Sequence, residues 1–135
     1  MLKEQLNQLY EEYGYRKFRM SKFEDYDLYA QNKDFLKKGH IITFTDGDGS
    51  LKALKPDITL SIMKSNGGDS EKVYYNENVC REVGGTFRDI LQVGVESVGQ
   101  IDPYAEAEVI ALAAHSLEQL SPKYVLALSD VSFVG

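Results

Sequence analysis

Asp57 and Thr59 stand two residues apart in LKPDIT, directly after Pro56, and Gln92 and Glu96 stand four apart in RDILQVGVESVG. A strand alternates its side chains, so Gln92, Gly94 and Glu96 share one face of the second stretch and Leu91, Val93 and Val95 the other. The polar face is unusual. Glutamine, glycine and glutamate are poor strand formers, and a glycine inside a strand often marks the close approach of a ligand or another backbone. Asp57 alone reads as a helix cap. Taken with Thr59, Gln92 and Glu96 it completes a small pocket of two carboxylates, an amide and a hydroxyl, a set suited to an ammonium group. Arg81 and Arg88 flank the turn between two long strands and supply a positive end for a carboxylate or phosphate. Acid at one end and arginine at the other is what an amino acid needs, and Gly94 is expected to leave room for it.

Other chemistry is poorly supported. Cys80 is the single cysteine, and with only His40 and His115 in the chain no base is implied beside it, so a half-buried thiol is the simpler reading. No Cys/His pair has zinc-ligand spacing. TDGDGS, residues 45–50, spaces Asp46 and Asp48 like the first ligands of a calcium loop, but Leu51 stands where the sharp-turn glycine belongs and the flanks read as strands. It is expected to be a hairpin turn. Neither a P-loop nor a dinucleotide fingerprint is present.

These residues must be carried by one domain spanning 1–135, with 43% hydrophobic and 27% charged residues. A net charge of −6 disfavours nonspecific nucleic-acid binding, which needs a basic face. A lone cysteine fits a reducing compartment, hence a cytoplasmic protein, and no signal-peptide or membrane-spanning run is seen. Leu2, Leu6, Leu9 and Tyr13 form a helical stripe ending at Gly14. A short strand over Tyr15–Phe18 and an irregular loop with a helical turn over 21–39 follow. HIITFTDGDGSLKAL reads as a hairpin, and DITLSIMKS as a short helix capped by Asp57. KVYYNENVCRE and the opening stretch are long strands joined through EVGGTF, and should pair antiparallel. Asp102 and Pro103 start a long helix that Ser121-Pro122 stops. KYVLALSDVSFVG is expected to form a last strand. The order implies an α+β fold with a mainly antiparallel sheet.

FEDYDLY, LKALKPDIT, the pairing of VCRE with FRDILQVGVESVG, and DPYAEAEVIALAAHSL resemble, over essentially the whole chain, the catalytic core of the class II histidyl-tRNA synthetase family. They are nearer still to its paralogues, the regulatory subunits of ATP phosphoribosyltransferase. The resemblance implies a class II antiparallel sheet flanked by helices, of which the chain would be the N-terminal part, without the third signature motif, the later histidine-specificity segment or the anticodon-binding domain. It places the family's histidine pocket on Asp57 (usually glutamate), Thr59, Gln92 and Glu96, and the motif-two arginine on Arg81.

Departures favour the regulatory branch. Ile90 stands where synthetases usually present the phenylalanine on which adenine stacks, EVGGTF lacks the charged residues that meet ATP and tRNA, and RMSKFE lacks a motif-one proline. The resemblance therefore implies a non-catalytic subunit without cofactor, in a homodimer or hetero-oligomer with the catalytic subunit of ATP phosphoribosyltransferase and with histidine as effector. The alternatives are a histidyl-tRNA synthetase fragment using ATP and magnesium, and an interaction module without ligand.

Overall fold

The computed structural model describes residues 1–32 and 40–130. In chain order the elements are α1 (Leu2–Glu12), β1 (Arg16–Lys17), β2 (Phe23–Asp25), α2 (Tyr26–Ala30), β3 (Thr43–Thr45), β4 (Leu51–Leu54), α3 (Thr59–Ser65), β5 (Glu71–Val83), β6 (Thr86–Val98) and α4 (Pro103–Leu120). One sheet has the order β1-β5-β6 and a second the order β2-β4-β3. All pairings are antiparallel except β1 on β5.

The long β5–β6 hairpin organises the chain. Gly84 and Gly85 both have positive φ, 59° and 84°, which a two-residue turn of matching twist demands and other residues resist. From that turn the ladder runs unbroken from Val83↔Thr86 to Glu71↔Val98. Opposed residues share a face. Val73, Tyr75 and Val79 with Ile90 therefore pack against Ile58 and Ile62 of the α3 segment, while Tyr74 with Val93 and Val95 packs against Leu6 and Tyr10 of α1 and Leu112 of α4. Covered on both faces, β5 is buried continuously from Val73 through Asn76.

The buried stripe of α1 is Leu6 and Tyr10 with Leu9 partly buried, while Leu2 and Tyr13 are exposed. Tyr13 falls at the C-cap, past the last turn that meets the sheet, and Tyr10 takes the core position by stacking at 5.6 Å on Tyr74. The helical turn expected within 21–39 is α2, while the short strand β2 takes the place of loop just before it. β2 adds three residues to the open edge of β4, a pairing too short to show in sequence alternation. The rest of that segment lies outside the described residues.

The hairpin over 45–50 is present, and its aspartates serve the turn itself. Asp48 Oδ1 accepts from the Ser50 amide at 2.9 Å, and Asp46 Oδ1 from the Gly47 amide at 2.7 Å. The last strand is not formed in its described part: residues 124–130 run without a ladder, and residues 131–135 lie outside the described residues. An apolar run of high β propensity becomes a strand only where an edge receives it; here Leu126 instead lines a hollow of about 790 Å³ with Leu6, Val93 and Leu117. Among the described residues no helix is long and apolar enough to cross a membrane.

α4 begins as expected. Asp102 accepts from the Ala105 amide at 2.8 Å and Pro103 occupies the first turn, where its missing N–H costs nothing. The helix buries Leu112 completely and holds Tyr10 through Ser116 at 2.7 Å. Asp102→Ala should therefore destabilise the fold by about 1 kcal/mol, read as a lower midpoint in urea melts. Asp102→Asn should recover most of that loss.

Candidate functional site

Two pieces of backbone meet to form the site. The β4–α3 connection crosses the face of the hairpin that carries Tyr75 and Ile90, and β6 presents Gln92 and Glu96 toward it. Ile58 and Ile62 anchor α3 in the core, at 0% and 1% exposure, so the polar residues beside them have little freedom. The second sheet steadies this segment from outside: Lys64 Nζ donates to Glu24 Oε1 at 2.6 Å, and Lys55 N donates to Lys22 O at 3.0 Å.

Asp57 divides its carboxylate between two tasks. Oδ2 accepts from the Thr59 amide at 2.9 Å, which supplies the expected capping contact, although Ile58 rather than Asp57 is the N-cap residue. Oδ1 faces the strands, 3.4 Å from Gln92 Nε2 and 3.6 Å from Arg81 Nη2. Arg81 also donates through Nη2 to Gln92 Oε1 at 3.0 Å and through Nε to the Pro56 carbonyl at 2.6 Å, so it is fixed at this end. At the other end Thr59 Oγ1 donates to Glu96 Oε1 at 2.7 Å. Gln92 and Glu96 are four residues apart on one strand, roughly 13 Å at the usual strand rise. The result is a polar strip with a guanidinium at one end and a carboxyl at the other.

The structure thus brings Asp57, Thr59, Arg81, Gln92 and Glu96 together and leaves two supporting residues in different roles. Arg88 opposes Arg81 in the ladder but is exposed, four residues further from Glu96 than Gln92 is. Gly94 does leave room, but Tyr75 takes it. The two are directly opposed, and a Cβ on Gly94 would lie 2.6 Å from Tyr75 Oη and 2.9 Å from its Cζ. Tyr75, missed from sequence, puts its hydroxyl over Gly94, between Gln92 and Glu96 on the polar face. Only its position opposite Gly94 could have signalled this.

Burial holds the Glu96 carboxyl above the usual carboxylate range and the nearby Asp57 charge adds to the effect, while the Thr59 and Tyr75 hydroxyls act against it. Cys80 is an unpromising nucleophile: burial, and then the charge of Asp89 opposite it, push its thiol up. The apolar hollow of about 790 Å³ lies on the other face of β6 and offers no cluster of charged groups to a polar ligand. Among the described residues no group of three or more His, Cys, Asp or Glu side chains could hold a metal ion.

A long central antiparallel hairpin, a parallel first strand and flanking helices define a class II aminoacyl-tRNA synthetase-like domain. The comparisons agree: the model of the histidyl-tRNA synthetase family matches residues 1–135, and the chain belongs to that family. The histidine–tRNA ligase of Staphylococcus aureus is 31% identical over 140 residues, covering 92% of this chain and 33% of that protein. The chain therefore spans about a third of the length of the curated relatives it matches. The apo histidyl-tRNA synthetase of S. aureus superposes with a TM-score of 0.69 at 29% identity, over 87% of this chain and 29% of that one. Two more distant likenesses concern the fold. An ATP phosphoribosyltransferase regulatory subunit/histidyl-tRNA synthetase from Bacillus halodurans has a TM-score of 0.72 at 23% identity, over 87% of this chain and 32% of that one. A chain of the ATP phosphoribosyl transferase complex of Thermotoga maritima has 0.65 at 18%, over 85% and 40%.

Because folded Glu96 holds its proton more tightly than the unfolded chain does, its contribution to stability is full below the unfolded carboxylate value. That contribution is lost as pH rises through the raised folded value. Glu96→Gln keeps an acceptor for Thr59 and removes the charge. Urea melts should show the variant gaining on the wild type between pH 4 and pH 7; a constant difference would mean that Glu96 carries no such linkage.

Proposed function

We propose that this chain belongs to a non-catalytic, histidine-sensing regulatory subunit of ATP phosphoribosyltransferase, acting with the catalytic subunit in the first step of histidine biosynthesis. One observation carries the reading: the strand that aligns Gln92 and Glu96 with Asp57, Thr59 and Arg81 also turns Ile90 into the apolar cluster with Val79 and Ile58. The residues assigned to the amino acid stand together, while the position at which a synthetase would stack adenine packs against the apolar cluster and offers no aromatic face. ATP does not fit this arrangement, because Ile90 offers its adenine no stacking partner. In this reading Glu96 takes the ligand ammonium, with Thr59 and Gln92 orienting it and Asp57 adding negative charge. Arg81, whose guanidinium has N–H donors beyond those spent on Gln92 and Pro56, takes the carboxylate. The names of the Bacillus halodurans and Thermotoga maritima structures support the partnership.

The 31% identity to a histidine–tRNA ligase favours a second reading, in which the chain is part of a working histidyl-tRNA synthetase. Two measurements on the full-length protein separate them. Calorimetric titration should show histidine binding, and Glu96→Gln should weaken it at least about tenfold, the scale of one charge-assisted hydrogen bond. Histidine-dependent exchange of pyrophosphate into ATP should be absent; its presence would transfer the chain to the synthetase reading.

A further inference from the structure

The Gly94–Tyr75 pair is the feature of the site that the function above does not use. Tyr75 is 5% exposed, in the strand that both helical layers cover, and its ring packs with Ile58, Ile62, Val73 and Val79. A ring in that place could end in carbon. Instead its hydroxyl reaches across the ladder into the middle of the polar strip, where any side chain larger than glycine at position 94 would collide with it. The hydroxyl lies over Gly94, midway along β6 between Gln92 and Glu96, near enough to the Glu96 carboxyl to favour its charged form.

We propose that Tyr75 is a positioning residue of this site: admitted by Gly94, its hydroxyl fixes the Glu96 carboxyl against Thr59 and forms the floor on which an amino-acid ligand lies. The physical reason is the number of partners a half-buried carboxyl needs. Glu96 has several acceptor positions and Thr59 can fill one. A second donor keeps the group ordered and ready to be ionised, so that a cation arriving above it meets a carboxylate in one fixed position and loses less freedom on binding. The titratable groups facing Glu96 are Asp57 from the β4–α3 connection and Tyr75 from β5; the other residues around it are the Thr59 hydroxyl and apolar core. Tyr75 is thus the one of these two that can donate to it.

The ligand half of this inference rests on the amino-acid reading above; the Tyr75–Glu96 half does not. The test is made on the full-length protein with glutamate carboxyls labelled with carbon-13, following the Glu96 resonance against pH by NMR. Tyr75→Phe keeps the ring and removes the donor, so the Glu96 midpoint should move to higher pH while the thermal melt stays cooperative, and histidine binding should weaken by about tenfold. Incorporation of 3-fluorotyrosine at position 75, almost the same in shape with a more acidic hydroxyl, should move the midpoint to lower pH, and it decides the matter if Tyr75→Phe fails to fold. A Glu96 midpoint that stays in place in the folded Tyr75→Phe or in the fluorotyrosine protein overturns the proposal. If wild type binds no histidine, the amino-acid reading falls, and the midpoints still decide whether Tyr75 governs Glu96.

Discussion

A two-glycine turn fixes the register of β5 on β6, and that register decides what faces what along thirteen residues of each strand. With side chains alternating at period two, one residue of slip would turn Glu96 and Gln92 onto the helix-covered face with Leu6 and Leu112, and carry Val93 and Val95 into the polar strip. Charged groups would then be buried against leucine and tyrosine without partners, at a cost of several kcal/mol. The apolar contacts of the two faces therefore protect the polar geometry. Ile58 and Ile62 hold α3 against one face, α1 and α4 cover the other, and the site lies where the first of these layers leaves a gap.

That dependence explains what could be read from the sequence. The turn, both long strands, the hairpin and the capped helix α4 are local signals: Gly-Gly, Asp/Gly and Asp-Pro each dictate a backbone shape through the next few residues. The convergence of Asp57 and Thr59 with Gln92 and Glu96 could also be inferred, because Pro56 and the short helix behind it allow one approach to the strand face. Tyr75 was within reach as well, since counting outward from Gly84-Gly85 pairs it with Gly94. What hid it was the assumption that a glycine in a polar face makes space for a ligand, when space beside an opposed tyrosine is filled by the tyrosine.

Other features depended on tertiary partners. β2 has three residues and exists because β4 offers an edge. Residues 124–130 have as much β propensity as β3 and form no ladder, because propensity describes a fit to neighbours and supplies none. The buried stripe of α1 likewise shifted to Tyr10, which is chosen by Tyr74 and Ser116 across the fold rather than by helical spacing alone.

The charges of the strip are arranged to be nearly neutral without being satisfied. Arg81 and Asp57 face each other at 3.6 Å, too far for a direct hydrogen bond, so each keeps unused capacity while offsetting the other's field. At the far end Glu96 is half-buried against the Thr59 hydroxyl, and its ionisation is opposed by desolvation and by Asp57. A zwitterion laid along the strip would correct both defects. Its carboxylate would give the Arg81 guanidinium a charged partner beside the Gln92 and Pro56 oxygens it already holds, and its ammonium would supply the positive charge that Glu96 lacks. A ligand with only one of these groups would correct one end and leave the other as it was. In the proposed reading, the opposite charges at the two ends of the strip favour a zwitterion over a simple amine or acid, and the turn at Gly84-Gly85 holds those ends in register.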